Sequence, residues 1–248
     1  MPMQRSLLLL FLLLSSVLTV TGADDSKNSD SAADIKYEPT SSYEKQSIAG
    51  FNVFVSAKLS KHPEQAKKAL ELLTAKLEEI GRIVPKEKVD SLRKANIWVE
   101  WALSPVTAAQ THHSVDWLRS NGYNPDKVRG VEISNASFFL AWSDHQPMMV
   151  LHELAHFYHQ NYLGSEKKRD VDAAYNSALK GGTYASLEYV LGGKKKAYAL
   201  TNSFEYFAEL TEAYFGRNDF YPFDYEQLST HDPVGFQLMV KSWGELKK

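Results

Sequence analysis

Between Phe51 and Ser56 the chain alternates: Phe51, Val53 and Val55 are set against Asn52, Phe54 and Ser56, a period of two that predicts a strand. From Pro63 the period changes. Ala66, Leu70, Leu73, Leu77 and Ile80 recur at three and four, and with Glu64 near the start and Gly81 past the end they predict an amphipathic helix. A short helix over Val89 to Ala95 and a strand over Ile97 to Trp101 follow. Thr111 to Arg129 is polar and carries the turn pairs Asn121-Gly122 and Asn124-Pro125, which lead into a third strand, Gly130 to Ser134. Two helices come next. The first, after Pro147, carries the stripe Val150, Leu151, Leu154, Ala155 and Tyr158; the second is a helix starting near Asn202 and ending at Gly216. Strands followed by two such helices predict an α+β fold, with a small twisted sheet packed on the first of them.

The amino terminus departs from these patterns. Residues 1–23 carry one charge, Arg5, before the Leu and Phe run Leu7 to Leu14, and they end on small residues at Gly22 and Ala23. This is the layout of a secretory signal peptide, too short for a membrane span of about 20 residues, so the chain is expected to be exported with no stable span in its mature form. Residues 24–49 are mostly Asp, Ser, Lys, Glu and Ala, with little apolar surface to offset the entropy of ordering. They are expected to be a flexible linker or pro-segment ahead of one domain over 50–248.

Composition narrows the chemistry. The 248 residues are 44% hydrophobic and 12% aromatic, enough for a sizeable core. A formal charge of −2 gives no reason to expect nucleic acid or an anionic membrane as partner. There is no cysteine, which excludes disulfide stabilisation, a thiol nucleophile and a cysteine zinc site. Metal chemistry is left to histidine and carboxylates.

Those residues converge at His152-Glu153-Leu154-Ala155-His156. Two histidines four apart project from one helix face and can grip one Zn²⁺, while the intervening Glu153 reaches the water bound to it. The bland alternative is a helix whose histidines only line a polar face. Two histidines and a water leave a tetrahedral site one protein ligand short. The metzincin continuation would need Gly at 159 and His at 162, where this chain has His159 and Tyr162. His159 lies on the same face but a turn too far along to converge on the same ion, which leaves it as a cleft-lining residue, a residue supporting the ligands from outside, or a surface histidine. Glu205 is the best remaining third ligand. Glu209, four residues on, is placed to orient a ligating histidine. The competing interpretation makes Asn202 an N-cap, Glu205 its capping-box partner, and Glu209 and Glu212 a solvated stripe.

His152-Glu153-Leu154-Ala155-His156 taken with Tyr198-Ala199-Leu200-Thr201-Asn202-Ser203-Phe204-Glu205-Tyr206-Phe207-Ala208-Glu209 resembles the catalytic domain of the anthrax lethal factor family, a branch of the gluzincin metallopeptidases. The resemblance runs from Val150 to Gly216. It implies a zincin-like fold, one zinc held by His152, His156 and Glu205, and a role for Tyr198, seven residues before Glu205, in binding the tetrahedral intermediate. It does not carry the family's substrates over.

The expected activity is hydrolysis of peptide bonds in a peptide or protein substrate through a zinc-bound water, with Glu153 as general base. Gly130 to Ser134 is the expected edge against which that substrate pairs, with an ordinary edge strand as the alternative. Asn135-Ala136-Ser137 is the one glycosylation acceptor pattern, just past that strand, and is expected to be unoccupied. Two other classes of function compete: an inactive zinc-containing binding module of the same fold, and an interaction domain without metal.

Overall fold

A computed structural model describes residues 37–103 and 108–246. The signal-peptide segment and residues 24–36 of the expected linker lie outside the described residues. The order of elements is β1 (Glu44–Ile48), β2 (Phe51–Val55), α1 (Ala57–Ser60), α2 (Pro63–Ile83), α3 (Lys86–Leu92), β3 (Asn96–Val99), β4 (Gln110–Thr111), α4 (Val115–Ser120), β5 (Gly130–Ile133), α5 (Ala136–Trp142) and α6 (Met149–Asn161). It continues with α7 (Ser165–Gly181), β6 (Leu187–Glu188), β7 (Lys194–Lys195), α8 (Ser203–Phe215), α9 (Tyr225–His231) and α10 (Pro233–Trp243). The architecture is α+β, a small mixed sheet with helices.

Five strands run in the order β1-β2-β3-β5-β4; β2, β3 and β5 are parallel, and β1 and β4 close the two edges antiparallel. One face of the sheet, with Val53, Val55, Ile97, Val99, Val131 and Ile133, shares a hydrophobic core with Leu73, Leu77 and Ile80 of α2 and Val150, Leu151 and Leu154 of α6. α2 runs through Gly81 to Ile83 and is capped at Val84, slightly beyond the expected stop.

Two expectations fail at the sheet edges. Glu44–Ile48, inside the expected linker, is strand β1, joined to β2 through Ala49 and Gly50 at positive φ. Its side chains are mostly solvent-facing, because an edge strand needs only its main-chain bonds and one anchor. Tyr43 is that anchor: it is buried, and its hydroxyl donates to Glu100 Oε1 at 2.6 Å. At the other side β5 is interior, buried at all four residues, because β4 pairs with it at Gln110 to Glu132 and Thr111 to Val131. The free edge on this side therefore belongs to β4, which ends on Thr111, the first residue of the segment whose polarity suggested loop.

The far face of the sheet is polar and yet sealed. Lys127, Glu100, Glu132 and His112 are all buried there, beside Trp98 stacked on Phe54 at 4.4 Å. On the opposite side of α6 lies α8, and α10 packs on α8 through Gly235, where a Cβ would come within 2.4 Å of Leu210. No helix of the described residues is long and apolar enough to cross a membrane.

Candidate metal centre

α6 is buried along Met149–His159, its histidines included. The four-residue step puts His152 and His156 on the face turned to α8, and their Nε2 atoms lie 3.1 Å apart. Glu205 arrives from the first turn of α8. Its Oε2 is 3.1 Å from His152 Nε2 and 3.1 Å from His156 Nε2. In a tetrahedral zinc site with bonds of about 2.0–2.1 Å, neighbouring ligand atoms are about 3.3 Å apart. The three donors thus already form nearly one face of such a tetrahedron. One proton could join any two of them; a divalent cation satisfies all three lone pairs together.

The capping interpretation is half right. The Asn202 side chain accepts from the backbone N–H of Phe204 and Glu205, so it does cap α8. The Glu205 carboxylate does not complete the box; it turns to the histidines.

Glu209 does not orient His152. His152 Nδ1 donates to Glu212 Oε1 at 2.6 Å, whereas Glu209 Oε1 stands 3.9 Å from that nitrogen, beyond a hydrogen bond. Residues 205, 209 and 212 share a helix face, and the separation of α6 and α8 decides which reaches the ring. His152, Glu209 and Glu212 form a second group of possible ligands, but Nδ1 and Glu212 Oε1 are too close for an ion between them and hold a proton instead. With Nδ1 held in that bond, Nε2 is the ring atom turned to the site, where a cation would take the place of its proton.

The electrostatics favour positive charge. Burial alone would depress His152, yet its bonds to Glu205 and Glu212 lift its pKa well above the ordinary imidazole value. Glu205, which burial alone would raise, is held well below the usual carboxylate range by His156 and His152. Behind His152, burial pushes Glu209 well up, with the charges of Asp219 and Glu212 adding to it, and raises Asp219 to about 7. Asn218 Nδ2 donates to Glu209 Oε2 at 3.3 Å.

Glu153 is buried next to the ligands, and Thr111 Oγ1 lies 2.8 Å from its Oε2 and 2.8 Å from its carbonyl oxygen. Tyr198 opens a short 3-10 turn, Tyr198–Leu200, with its ring 6.4 Å from that of His152. Its hydroxyl is buried and makes no hydrogen bond of standard geometry among the described residues, but it lies close enough to the Glu205 carboxylate for a weaker interaction with it to raise its pKa. Burial, then the charges of Glu205 and Glu153, push its pKa far up, so it stays a phenol and a donor at neutral pH.

His159 is neither cleft-lining nor on the surface. It is buried against Phe204 and Phe207, with ring centroids 4.5 Å and 5.0 Å away, and burial followed by the charge of His156 lowers its pKa to about 4. It takes no part in the three-donor face.

The structure therefore brings together His152, Glu153, His156, Glu205 and Tyr198, moves the orienting carboxylate from Glu209 to Glu212, and adds Thr111. His113 also joins, an exposed side chain with its ring 6.4 Å from that of His156. Glu212 could have been found in the sequence, one turn past Glu209 on the same face; Thr111 and His113 sit in a polar stretch with no periodic signal. Comparison with models of known protein families, with curated proteins and with solved structures finds no match.

Proposed function

We propose that the chain is an exported zinc metallopeptidase of gluzincin type with a zincin-like arrangement of sheet and helices, akin to the anthrax lethal factor family. The observation that carries this reading is the convergence of His152 Nε2, His156 Nε2 and Glu205 Oε2 at mutual distances of 3.1 Å. Glu153 and Tyr198 flank it. His152, His156 and Glu205 would hold the zinc, which would supply Lewis-acid chemistry at the site.

This chain's own residues do the rest. Glu153 takes a proton from the attacking water and returns it to the leaving amine. The Tyr198 hydroxyl, kept protonated, donates to the oxyanion that develops on the scissile carbonyl. The outer edge of β4, which no described strand covers, offers main-chain groups to an extended peptide.

Glu153→Gln separates this reading from that of a zinc-holding binding module. The account expects it to keep the metal and lose nearly all cleavage of a peptide library. A variant as active as the wild type removes Glu153 as base; a wild-type protein that holds zinc and cleaves nothing favours the binding module.

A further inference from the structure

Thr111 is the residue of β4 that faces α6, and its two neighbours in sequence face the other way. Gln110 Nε2 donates to Glu132 Oε1 at 2.8 Å, and His112 Nε2 lies 3.2 Å from Glu132 Oε2. Glu132 is fully buried and is itself pinned. Lys127 Nζ reaches its Oε2 at 2.5 Å while also holding Glu100 Oε1 at 2.6 Å, and Ser134 Oγ donates to its Oε1 at 2.6 Å. A two-residue strand has few ladder bonds of its own, so side chains gripping both sides of Thr111 fix its height and register against β5. The grip lies on one face of the sheet, and its effect falls on the other, where the Thr111 hydroxyl meets Glu153.

We propose that Thr111 is a positioning residue for Glu153, and that the buried Lys127–Glu132 pair holds Thr111 in place through Gln110 and His112. The inference rests on the peptidase reading, in which Glu153 is the base. The one hydroxyl proton of Thr111 has two acceptors, both on Glu153, each 2.8 Å away. Whichever it serves, the bond ties this edge strand to the turn of α6 that carries the base. The edge that would receive the substrate backbone and the carboxylate that would act on it are thereby set at one fixed distance. Misplacement of a reacting group by about 1 Å costs rate far more than binding.

The test measures kcat, KM, zinc content and equilibrium unfolding for Thr111→Val, Thr111→Ser and Gln110→Ala. Thr111→Val is also made with Glu153→Ala and with Gln110→Ala. The substrate is a fluorescence-quenched peptide chosen from a library by wild-type cleavage. Thr111→Val is expected to lower kcat about 10 to 100-fold with KM within about twofold and zinc unchanged. Thr111→Ser is expected to restore the rate.

In the Glu153→Ala background the carboxylate acceptor is gone and only the main-chain carbonyl of residue 153 remains, so Thr111→Val should lower the residual rate far less than it lowers the wild-type rate. Gln110→Ala should lower kcat alone, yet add nothing to Thr111→Val. Equal losses with and without Glu153, a rise in KM at constant kcat, or failure of serine to rescue would overturn the proposal; additive losses for Gln110 and Thr111 would overturn the buried grip. Normal kcat in Thr111→Val with an active wild type removes this inference alone. A wild type that holds zinc but cleaves nothing removes the peptidase reading and this inference together.

Discussion

His152 Nδ1 donates to Glu212 Oε1 across 2.6 Å, and this one bond fixes the tautomer that aims His152 Nε2 at Glu205 and His156. A carboxylate behind a ligating imidazole makes the ring a better donor and stops its rotation. Replacing Glu212 by Ala is therefore expected to weaken zinc affinity about 10 to 100-fold, whereas Glu209→Gln, which keeps an acceptor for Asn218, should change it far less. Competition titration against a chelator reads both. Equal losses would return Glu209 to the role its spacing first suggested.

Tyr198→Phe separates chemistry from packing. The hydroxyl is buried and makes no hydrogen bond of standard geometry among the described residues, so deleting it should change the melting temperature little. Cleavage should nevertheless fall by about 10² in kcat, with zinc content unaltered. A lowered melting temperature at normal kcat would identify the ring as packing alone.

The buried cluster on the far face of the sheet predicts an acid limit to stability. Burial would raise Glu132, but its bond with His112 and the charge of Lys127 keep it well below the usual carboxylate range. A carboxylate depressed in the folded state contributes stability that is present above its unfolded pKa and lost as pH falls through the folded one. Glu132→Gln should thus cost about 3 kcal/mol or more at neutral pH, because Lys127 loses one of its two partners. Denaturant titrations at a series of pH values should show that cost shrinking below about pH 4. A cost independent of pH would mean that ionisation of Glu132 contributes nothing.

Asn135 matches a glycosylation acceptor but is buried, and its side chain accepts from Phe138 N to cap α5. A glycan there would break the cap and open the sheet next to β5. Expression in a glycosylating host should yield protein without a glycan at Asn135, read by intact mass, and Asn135→Ala should cost about 1 kcal/mol of stability.

Much of this was legible in the sequence because periodicity reports burial on one face. β2 and α2 bury a stripe, β3, β5, α6 and α8 are apolar enough to be buried almost throughout, and the spacing of His152, Glu153 and His156 along α6 survives intact in three dimensions. β1 was hidden because an edge strand can leave its side chains in water, so its composition resembles that of a linker. β4 was hidden for the opposite reason: Gln110 and His112 are polar yet reach the buried Glu132, a partner more than 15 residues away in the sequence. The choice between Glu209 and Glu212 turns on the distance between two helices, which no spacing within one helix encodes.

The central claim is the three-donor metal face, and elemental analysis for zinc on the purified chain and its Glu205→Ala variant, both prepared without chelator, addresses it most directly. The account predicts one zinc per chain in the first and loss of it in the second, since two histidines alone do not hold a catalytic ion. A wild-type chain without zinc, or a Glu205→Ala protein that keeps full occupancy and loses only about 1 kcal/mol of stability, would contradict it.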